Sequence, residues 1–290
     1  TNEGEITSRA YAVNDTGQGV GFTQSGATRH AIHWLTQTST DLHGTVHFNL
    51  KHPYVLYNQD YSEAFDISNA DQIVGTARAM IKCPDVSFVI TNGFLLRPAV
   101  LSDLATPYPG DALTNLPTFY NPCLDGYDST ATAISNTSYV VGWSDNNGGV
   151  ARAFLIAPTN TQFVVQGADG GNDLLIDLGT LGGSDPVSSA SAVNDAGQVT
   201  GWSYTLANGV TAYRAFRLNP IDGNADTRPD TWYIAGAQGE NVLMTPIPTL
   251  GGNNGWGRGI NSAGDVVGES DAIAPNGAFF THAFLYKGAA

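Results

Sequence analysis

Short apolar runs alternate with polar turns along the whole chain, and most runs are four to seven residues long. They are rich in β-branched and aromatic residues and are separated by Gly, Asn and Asp, which is typical of strands joined by tight turns. No segment keeps an apolar spacing of 3.6 residues long enough to predict a stable helix. With 34 Gly, 14 Pro and only 13% charged residues, the composition also favours many short strands.

One nine-residue motif recurs five times without gaps, and its starts are separated by 54, 67, 59 and 67 residues. The copies are VNDTGQGVG (13–21), ISNADQIVG (67–75), ISNTSYVVG (134–142), VNDAGQVTG (193–201) and INSAGDVVG (260–268). Gly17, Gly197 and Gly264 stand where a hairpin with a G1 bulge needs a left-handed residue. Asp71 and Ser138 replace this glycine, and Ser tolerates the geometry less well, which allows a different turn in the third copy.

Each motif is followed by a second apolar cluster. The clusters are HAIHW (30–34), NGFLL (92–96), RAFLI (152–156), RAFRL (214–218) and HAFLY (282–286). IDLGTLGG (176–183) and IPTLGG (247–252) recur between repeats. A small residue stands three positions before every motif: Ala10, Ala64, Ala131, Ala190 and Gly257. Small residues at this place predict strands crowded closely around a central axis.

These units predict an all-β fold, a single-domain five-bladed β-propeller with about four strands per blade. The predicted blades are about 7–56, 61–119, 128–178, 187–249, and 254–290 plus 1–6. The fifth unit lacks a fourth strand, whereas the segment GEIT stands spare before the first motif. We therefore expect this N-terminal strand to join the last blade and close the ring, which hides the sheet edges.

The segments DLGTLGG, SASAVNDAGQVTGWS and YRAFRL resemble the HAF repeat family of extracellular bacterial proteins, which is named for its His-Ala-Phe triplet. The full triplet stands at 282–284, and the other copies carry variants of it. The resemblance spans almost the whole chain and implies export and a β-rich repeat fold. It brings no established activity and no catalytic residues.

Charge, apolar runs and cysteine content indicate which partners and which cellular location to expect. The net charge of −14 repels phosphate backbones and excludes nucleic acid as an expected partner. No apolar run is long enough to predict a membrane span. Cys83 and Cys123 are the two cysteines, and in an exported chain they are expected to form a disulfide. Two free, buried thiols are the alternative.

A candidate calcium loop lies in DGNADTRPDTW (222–232). Asp222, Asn224, Asp226 and Asp230 form a D-x-N-x-D-x3-D pattern, and Ca²⁺ prefers such hard oxygen ligands. A complete EF-hand is excluded, because Thr227 and Tyr233 replace its glycine and glutamate. Asp169, Asn172 and Asp173 form a weaker parallel in GADGGNDLLID (167–177). The alternative is a polar turn rich in Asx residues.

Aromatic and cationic side chains recur at matched places. Phe22, Trp143 and Trp202 follow the "VG" or "TG" of their motifs, and Arg29, Arg152, Arg214 and His282 are expected to begin the third strand on the same face. Aromatic rings beside arginines suit sugar rings and carboxylated glycans. In the structural alternative, Trp fills gaps between blades and Arg pairs with an acidic neighbour.

The sequence thus predicts a secreted, calcium-stabilised binding or structural module for an extracellular glycan or a surface protein. One alternative is a polysaccharide lyase or glycosidase, with a His/Tyr or carboxylate pair near the central channel. Another is self-assembly into a surface layer or fibre.

Overall fold

The structure is a computed structural model that describes residues 6–35, 38–42, 55–82, 85, 87–96, 113–116, 128–146, 148–158, 162–165, 171–183, 186–207, 210–274 and 276–288. The described elements are strands, apart from a 3-10 turn at Ala237–Gly239. The all-β prediction is confirmed. Among the described residues, no helix is long and apolar enough to cross a membrane.

The strands fall into groups that match the sequence repeats, and we call them repeat sheets 1 to 5. Repeat sheet 1 contains β1 (Ile6–Val13), β2 (Gly19–Ser25), β3 (Thr28–Trp34) and β4 (Ser39–Asp41). Repeat sheet 2 contains β5 (Val55–Ile67), β6 (Ile73–Lys82), β7 (Ser87–Leu96) and β8 (Leu113–Leu116). Repeat sheet 3 contains β9 (Ser129–Ile134), β10 (Val140–Asp145), β11 (Ala151–Ile156) and β12 (Leu175–Asp177). Repeat sheet 4 contains β13 (Ser188–Val193), β14 (Val199–Ala207), β15 (Val210–Leu218) and β16 (Met244–Pro246). Repeat sheet 5 contains β17 (Gly251–Ile260), β18 (Val266–Ile273) and β19 (Phe279–Tyr286).

The strands of each repeat sheet follow one another in chain order. A single parallel bridge between Arg29 and Tyr61 joins repeat sheets 1 and 2, so the described residues form four hydrogen-bonded sheets. Ile6 pairs with Ser25 within repeat sheet 1, which moves Ile6 out of the predicted last blade. Residues 1–5 lie outside the described residues, so the closing strand stays a prediction.

The chain divides into two compact units. Unit 1 comprises 1–136, 145–149 and 158–174, and unit 2 comprises 137–144, 150–157 and 175–290. A buried hydrophobic cluster in unit 1 contains Val20, Ala31, Leu42, Ala64, Ile67, Ile73, Ala77, Phe94 and Leu96. In unit 2, Ala215, Ile247 and Val266 form a buried cluster against Phe284 and Tyr286.

The five motifs form hairpins with one common turn. The residue at the glycine position is left-handed in all of them, with φ of 79° at Gly17, 58° at Asp71, 70° at Ser138, 72° at Gly197 and 76° at Gly264. The third copy therefore keeps the same left-handed turn, and the different turn that the sequence allowed at Ser138 is not formed. The hairpin context outweighs the intrinsic reluctance of Ser to adopt a positive φ.

The last glycine of the motif is fixed by a close approach of backbone. A bulge in the first strand pushes a carbonyl towards this position in four of the hairpins. A Cβ added at Gly21, Gly75, Gly201 or Gly268 would lie 1.9 to 2.1 Å from that carbonyl oxygen. Only glycine fits at this place.

Three pairs of neighbouring repeat sheets, 1 and 2, 2 and 3, and 3 and 4, contact each other through one repeated hydrogen bond. The backbone N–H groups of Ala31, Gly93 and Ala153 on the third strands donate to a serine Oγ on the first strand of the next sheet, each over 3.0 Å. The acceptors are Ser62, Ser129 and Ser188. These serines are at most 1% exposed, so the bond marks a tightly packed interface.

The hairpin turns also contact one another. In unit 1, Asn14 Nδ2 donates to the carbonyl of Ser68, and the backbone N–H of Asn69 donates to Asn136 Oδ1. In unit 2, Asn194 Nδ2 donates to the carbonyl of Asn261 over 2.8 Å. Each turn thus meets the turn of the next repeat, and the motif's polar residues carry these contacts.

Candidate functional site

The side chains beyond the motif's last glycine form a layer that differs between interfaces, and we call it the distal layer. Four positions define this layer. Two lie on the second strand: the residue directly after that glycine and the residue two positions later. The third is the residue on the third strand that pairs with the later of these two, and the fourth lies on the first strand of the next sheet, directly before its small residue. Its members are Phe22, Gln24, Arg29 and Glu63 between repeat sheets 1 and 2; Thr76, Arg78, Thr91 and Thr130 between 2 and 3; and Trp202, Tyr204, Tyr213 and Trp256 between 4 and 5.

Between repeat sheets 1 and 2 the distal layer contains a buried carboxylate. Glu63 is 3% exposed, accepts hydrogen bonds from the hydroxyls of Tyr11 and Tyr61 over 2.9 and 2.8 Å, and pairs with Arg29. The Arg29 guanidinium lies 4.2 Å from the centre of the Phe22 ring. Burial, followed by the hydrogen bond to Glu63, raises the pKa of Tyr61 to about 12. The Glu63 carboxylate of repeat sheet 2 thus binds Tyr11 and Arg29 of repeat sheet 1.

Between repeat sheets 4 and 5 the distal layer is aromatic, and we call Trp202, Tyr204, Tyr213 and Trp256 the aromatic cluster. The ring centres of Tyr213 and Trp256 are 5.4 Å apart, and those of Trp202 and Tyr213 are 5.2 Å apart. The hydroxyls of Tyr204 and Tyr213 are hydrogen-bonded over 2.6 Å. All four side chains are half-buried, so ring surface remains open to solvent.

The alternation of side chains along a strand explains why Trp202 and Tyr204 lie together in the aromatic cluster. Trp202 and Tyr204 are two residues apart on β14 and therefore share a face, and Tyr213 is the partner of Tyr204 on β15. Trp256 lies on β17, next to Gly257, where an added Cβ would lie 2.2 Å from Thr200 Oγ1. The sequence analysis singled out Trp202 alone. An alternating search with period two from Trp202 would have found Tyr204.

The structure separates the arginines from the tryptophans that the sequence grouped with them. Arg214 pairs with Ser203, so its side chain and that of Trp202 leave opposite faces of the sheet. Arg29 lies one position before the place of Arg152, Arg214 and His282, and His30 takes that place. Because a one-residue shift reverses the side of the sheet from which a side chain leaves, Arg29 leaves the side opposite to that of His30. The expectation that Arg29, Arg152, Arg214 and His282 share one loop face stays a prediction. Phe22 and Arg29 are brought together.

In two repeats, the His or Arg residue near the start of the third strand pairs with an aspartate. His30 Nδ1 lies 2.8 Å from Asp41, and Arg152 Nε lies 3.3 Å from Asp177. Both carboxylates come from the fourth strand of the same sheet. In repeat sheet 4 the corresponding residue is Pro246, and Arg214 instead donates to the carbonyl of Asn253 over 2.5 Å. His282 is exposed, and Trp143 is half-buried.

The candidate calcium loop is exposed and folds on its own carboxylates. The backbone N–H of Thr227 donates to Asp222, that of Arg228 to Asp226, and that of Gly223 to Asp230. Asn224 Oδ1 accepts the N–H of Asp226. Among the described residues, no group of three His, Cys, Asp or Glu side chains converges as a metal site would require. The donor types suit Ca²⁺, but their oxygens face the loop's own backbone.

The weaker calcium candidate contains a structural asparagine. Asn172 is 4% exposed; its Oδ1 accepts the N–H groups of Val165 and Leu174, and its Nδ2 donates to the carbonyl of Phe163. Asp173 is exposed, whereas Asp169 lies outside the described residues. The same holds for Cys83 and Cys123, so their disulfide stays a prediction.

Asn241 repeats the role of Asn172 in the next repeat. It is fully buried, accepts the N–H groups of Ile234 and Leu243, and donates to the carbonyls of Leu178 and Trp232. The segments FVVQGADGGNDLL (163–175) and WYIAGAQGENVLM (232–244) align around these asparagines. The shared pattern of backbone hydrogen bonds explains the burial of Asn172 without a metal.

No protein-family model matches the chain, and the curated proteins contain no significant match. The resemblance to the HAF repeat family therefore stays a prediction.

Proposed function

We propose that the protein is a closed five-bladed β-propeller that serves as an extracellular binding module. Its ligand is a glycan or a surface protein, and it binds at the distal layer. The observation that carries this proposal is the division of the repeats into a constant frame and a variable layer. The turns, the close-approach glycines and the serine hydrogen bonds recur, whereas the distal layer is ionic, hydroxylated or aromatic from one interface to the next.

Two unpaired faces support ring closure. In repeat sheet 5, Val267 and Leu285 are 50% and 58% exposed, whereas Val74 and Leu95, at the same places in repeat sheet 2, are buried completely. In repeat sheet 1, Val13 is 70% exposed, although Ile67 at its place in the next repeat is 5% exposed. Apolar faces of this kind normally mark an interaction site.

The two faces are also complementary. Ser8 occupies the place of the accepting serines, and Ala283 that of the donating N–H groups, and both are exposed. Arg9 stands at the place of Glu63, and Glu269 at that of Phe22. Closure would bury the two apolar faces, repeat the serine hydrogen bond and bring Arg9 towards Glu269.

Self-assembly is the second candidate function, because the same faces would join two copies head to tail if they did not close within one chain. A head-to-tail contact leaves the face free at each end and predicts open chains of molecules. The two candidates differ in the mass of the species in solution.

A glycan and protein array tests the binding proposal. We expect the intact protein to retain a defined glycan or surface protein, and retention to persist when the exposed loop at 222–230 is replaced by a short Gly-Ser linker. Binding to no member of a broad array of extracellular glycans and surface proteins would contradict the proposal. Export is supported by the family resemblance alone, and secretion of the full-length gene product from its native cell tests it.

The calcium part of the proposal rests on the donor types at Asp222, Asn224, Asp226 and Asp230. Calcium at 100 times its dissociation constant stabilises a folded protein by about 2.7 kcal/mol, which for a chain of this size is a rise in melting temperature of about 5 °C. We expect this rise on adding Ca²⁺ to EDTA-treated protein, and its loss in the Asp222→Asn/Asp226→Asn variant. Mg²⁺ is the control ion. An equal melting temperature with EDTA and with Ca²⁺ would remove calcium from the account.

A further inference from the structure

We infer that the aromatic cluster is a binding site for an uncharged pyranose oligosaccharide. This inference rests on the proposed binding function and names the ligand class and the residues. Trp202, Tyr204, Tyr213 and Trp256 offer rings from three strands of two adjacent sheets. A pyranose ring has an apolar C–H face and a rim of hydroxyls, so it matches ring surface that carries polar groups at its edge.

The packing between repeat sheets does not require these aromatic residues. Between repeat sheets 2 and 3 the same places hold Thr76, Thr91 and Thr130, and the interface still forms its serine hydrogen bond. Between repeat sheets 3 and 4, Ser189 stands where Trp256 stands. Between repeat sheets 4 and 5, where Gly255 takes the place of the serine, four large rings stand instead of these smaller side chains. Partly exposed aromatic clusters are typical of recognition surfaces.

Polar groups suited to sugar hydroxyls lie at the edge of the cluster. The Tyr204 and Tyr213 hydroxyls, 2.6 Å apart, each combine a donor and an acceptor. Asn254 holds this edge in place, because its Oδ1 accepts the backbone N–H of Tyr213 and its Nδ2 donates to Asp271. The positions of the rings are thus fixed before a ligand arrives, which lowers the entropic cost of binding.

The net charge of the chain and the placement of two arginines favour an uncharged sugar as the ligand. The chain carries a net charge of −14, which repels polyanionic glycans. Arg214 leaves the opposite face of the sheet, and Arg258 is already paired with Glu269. Neither of these two arginines is therefore placed to recognise a carboxylated sugar at the aromatic cluster.

Binding of defined oligosaccharides to repeat-derived variants tests the inference. Isothermal titration of the full chain with cellohexaose, xylohexaose, mannohexaose and tri-galacturonate measures affinity, and tryptophan fluorescence reports the site. The variants Trp256→Thr and Tyr213→Thr introduce the residues that stand at these places between repeat sheets 2 and 3, so the fold has a precedent for them. Phe280→Ala is the matched control, because Phe280 is an exposed aromatic residue of repeat sheet 5 that lies outside the aromatic cluster and the distal layer.

We expect at least one neutral hexaose to bind, and each cluster variant to lose about tenfold or more in affinity while it still unfolds in a single cooperative transition. The Phe280→Ala control keeps wild-type affinity, and tri-galacturonate does not bind. If the protein binds a glycan with equal affinity in the cluster variants, this inference is wrong and the binding module stands. Preference for tri-galacturonate, or binding only of a protein partner, also overturns it. Absence of any ligand on the array overturns both.

Discussion

Replacing Gly201 by alanine is expected to lower the free energy of unfolding by about 3 kcal/mol, because the added Cβ overlaps backbone that cannot move aside. That Cβ would lie 2.1 Å from the carbonyl oxygen of Ser189 and 2.8 Å from the Cα of Ala190. Both atoms belong to β13, which is hydrogen-bonded to β14 through the bulge. Relief would require the hairpin to open. Urea and thermal unfolding of the variant measure the loss.

Gly149→Ala is the matched control for this effect. Gly149 also resists substitution, since its φ is 67°, but nothing lies within 4 Å of its added Cβ. The left-handed backbone alone costs about 1 kcal/mol or slightly more. If Gly149→Ala destabilises as much as Gly201→Ala, close approach does not explain the motif's last glycine.

Replacing Asn241 by alanine is expected to cost about 4 kcal/mol of stability. Its side chain satisfies four backbone groups, which belong to Leu178, Trp232, Ile234 and Leu243. Asn241 itself is fully buried, so the hydrogen bonds that it makes in the interior have no ready replacement. Each buried polar group left unpaired costs about 1 to 3 kcal/mol, and partial entry of water lowers the sum. Chemical unfolding monitored by Trp232 fluorescence measures the change.

The variant Asn241→Asp separates donors from acceptors, because a carboxylate still accepts from Ile234 and Leu243 but cannot donate to the two carbonyls. We expect it to be less stable than the wild type as well. Asn224→Ala, in the exposed loop, is the control and is expected to change stability by less than about 0.5 kcal/mol. An Asn241→Ala protein as stable as this control would contradict the structural role.

The repeats made the all-β class and the five hairpins predictable. Gly17 and Gly197 marked the turns, and Ala64 and Ala190 marked the close approach between strands, because backbone geometry restricts these places to few residue types. Ser138 escaped this reasoning, since its intrinsic preference points away from a positive φ that the hairpin imposes. Propensity is a weak guide where register is fixed by neighbours on both sides.

The site was harder to predict, because its residues come from different strands. Strand pairing sets which face a side chain leaves, and a shift of one residue, as between Arg29 and His30, reverses it. Trp256 joins Tyr213 only through the packing of two sheets. The sequence shows neither the pairing nor the packing. The sequence places Asn172 among the candidate metal ligands, because the backbone groups that its side chain binds cannot be identified from the sequence alone.

The central claim is that one chain closes its own ring, and a pair of introduced cysteines tests it most directly. The variant Ser8→Cys/Ala283→Cys places thiols at the donor and acceptor positions of the proposed fifth interface. Ala31→Cys/Ser62→Cys, at the first interface, is the positive control, since that hydrogen bond is formed over 3.0 Å. Mass spectrometry of peptides from oxidised protein identifies the new disulfide apart from the native Cys83 and Cys123.

The account predicts that the oxidised Ser8→Cys/Ala283→Cys protein is a monomer in which the two introduced thiols are joined within one chain. It also predicts that the reduced protein sediments as a monomer at all concentrations. A disulfide found only between two chains, in dimers and longer species, would contradict ring closure and favour head-to-tail assembly. No disulfide at this place, with efficient oxidation of the Ala31→Cys/Ser62→Cys control, would contradict both.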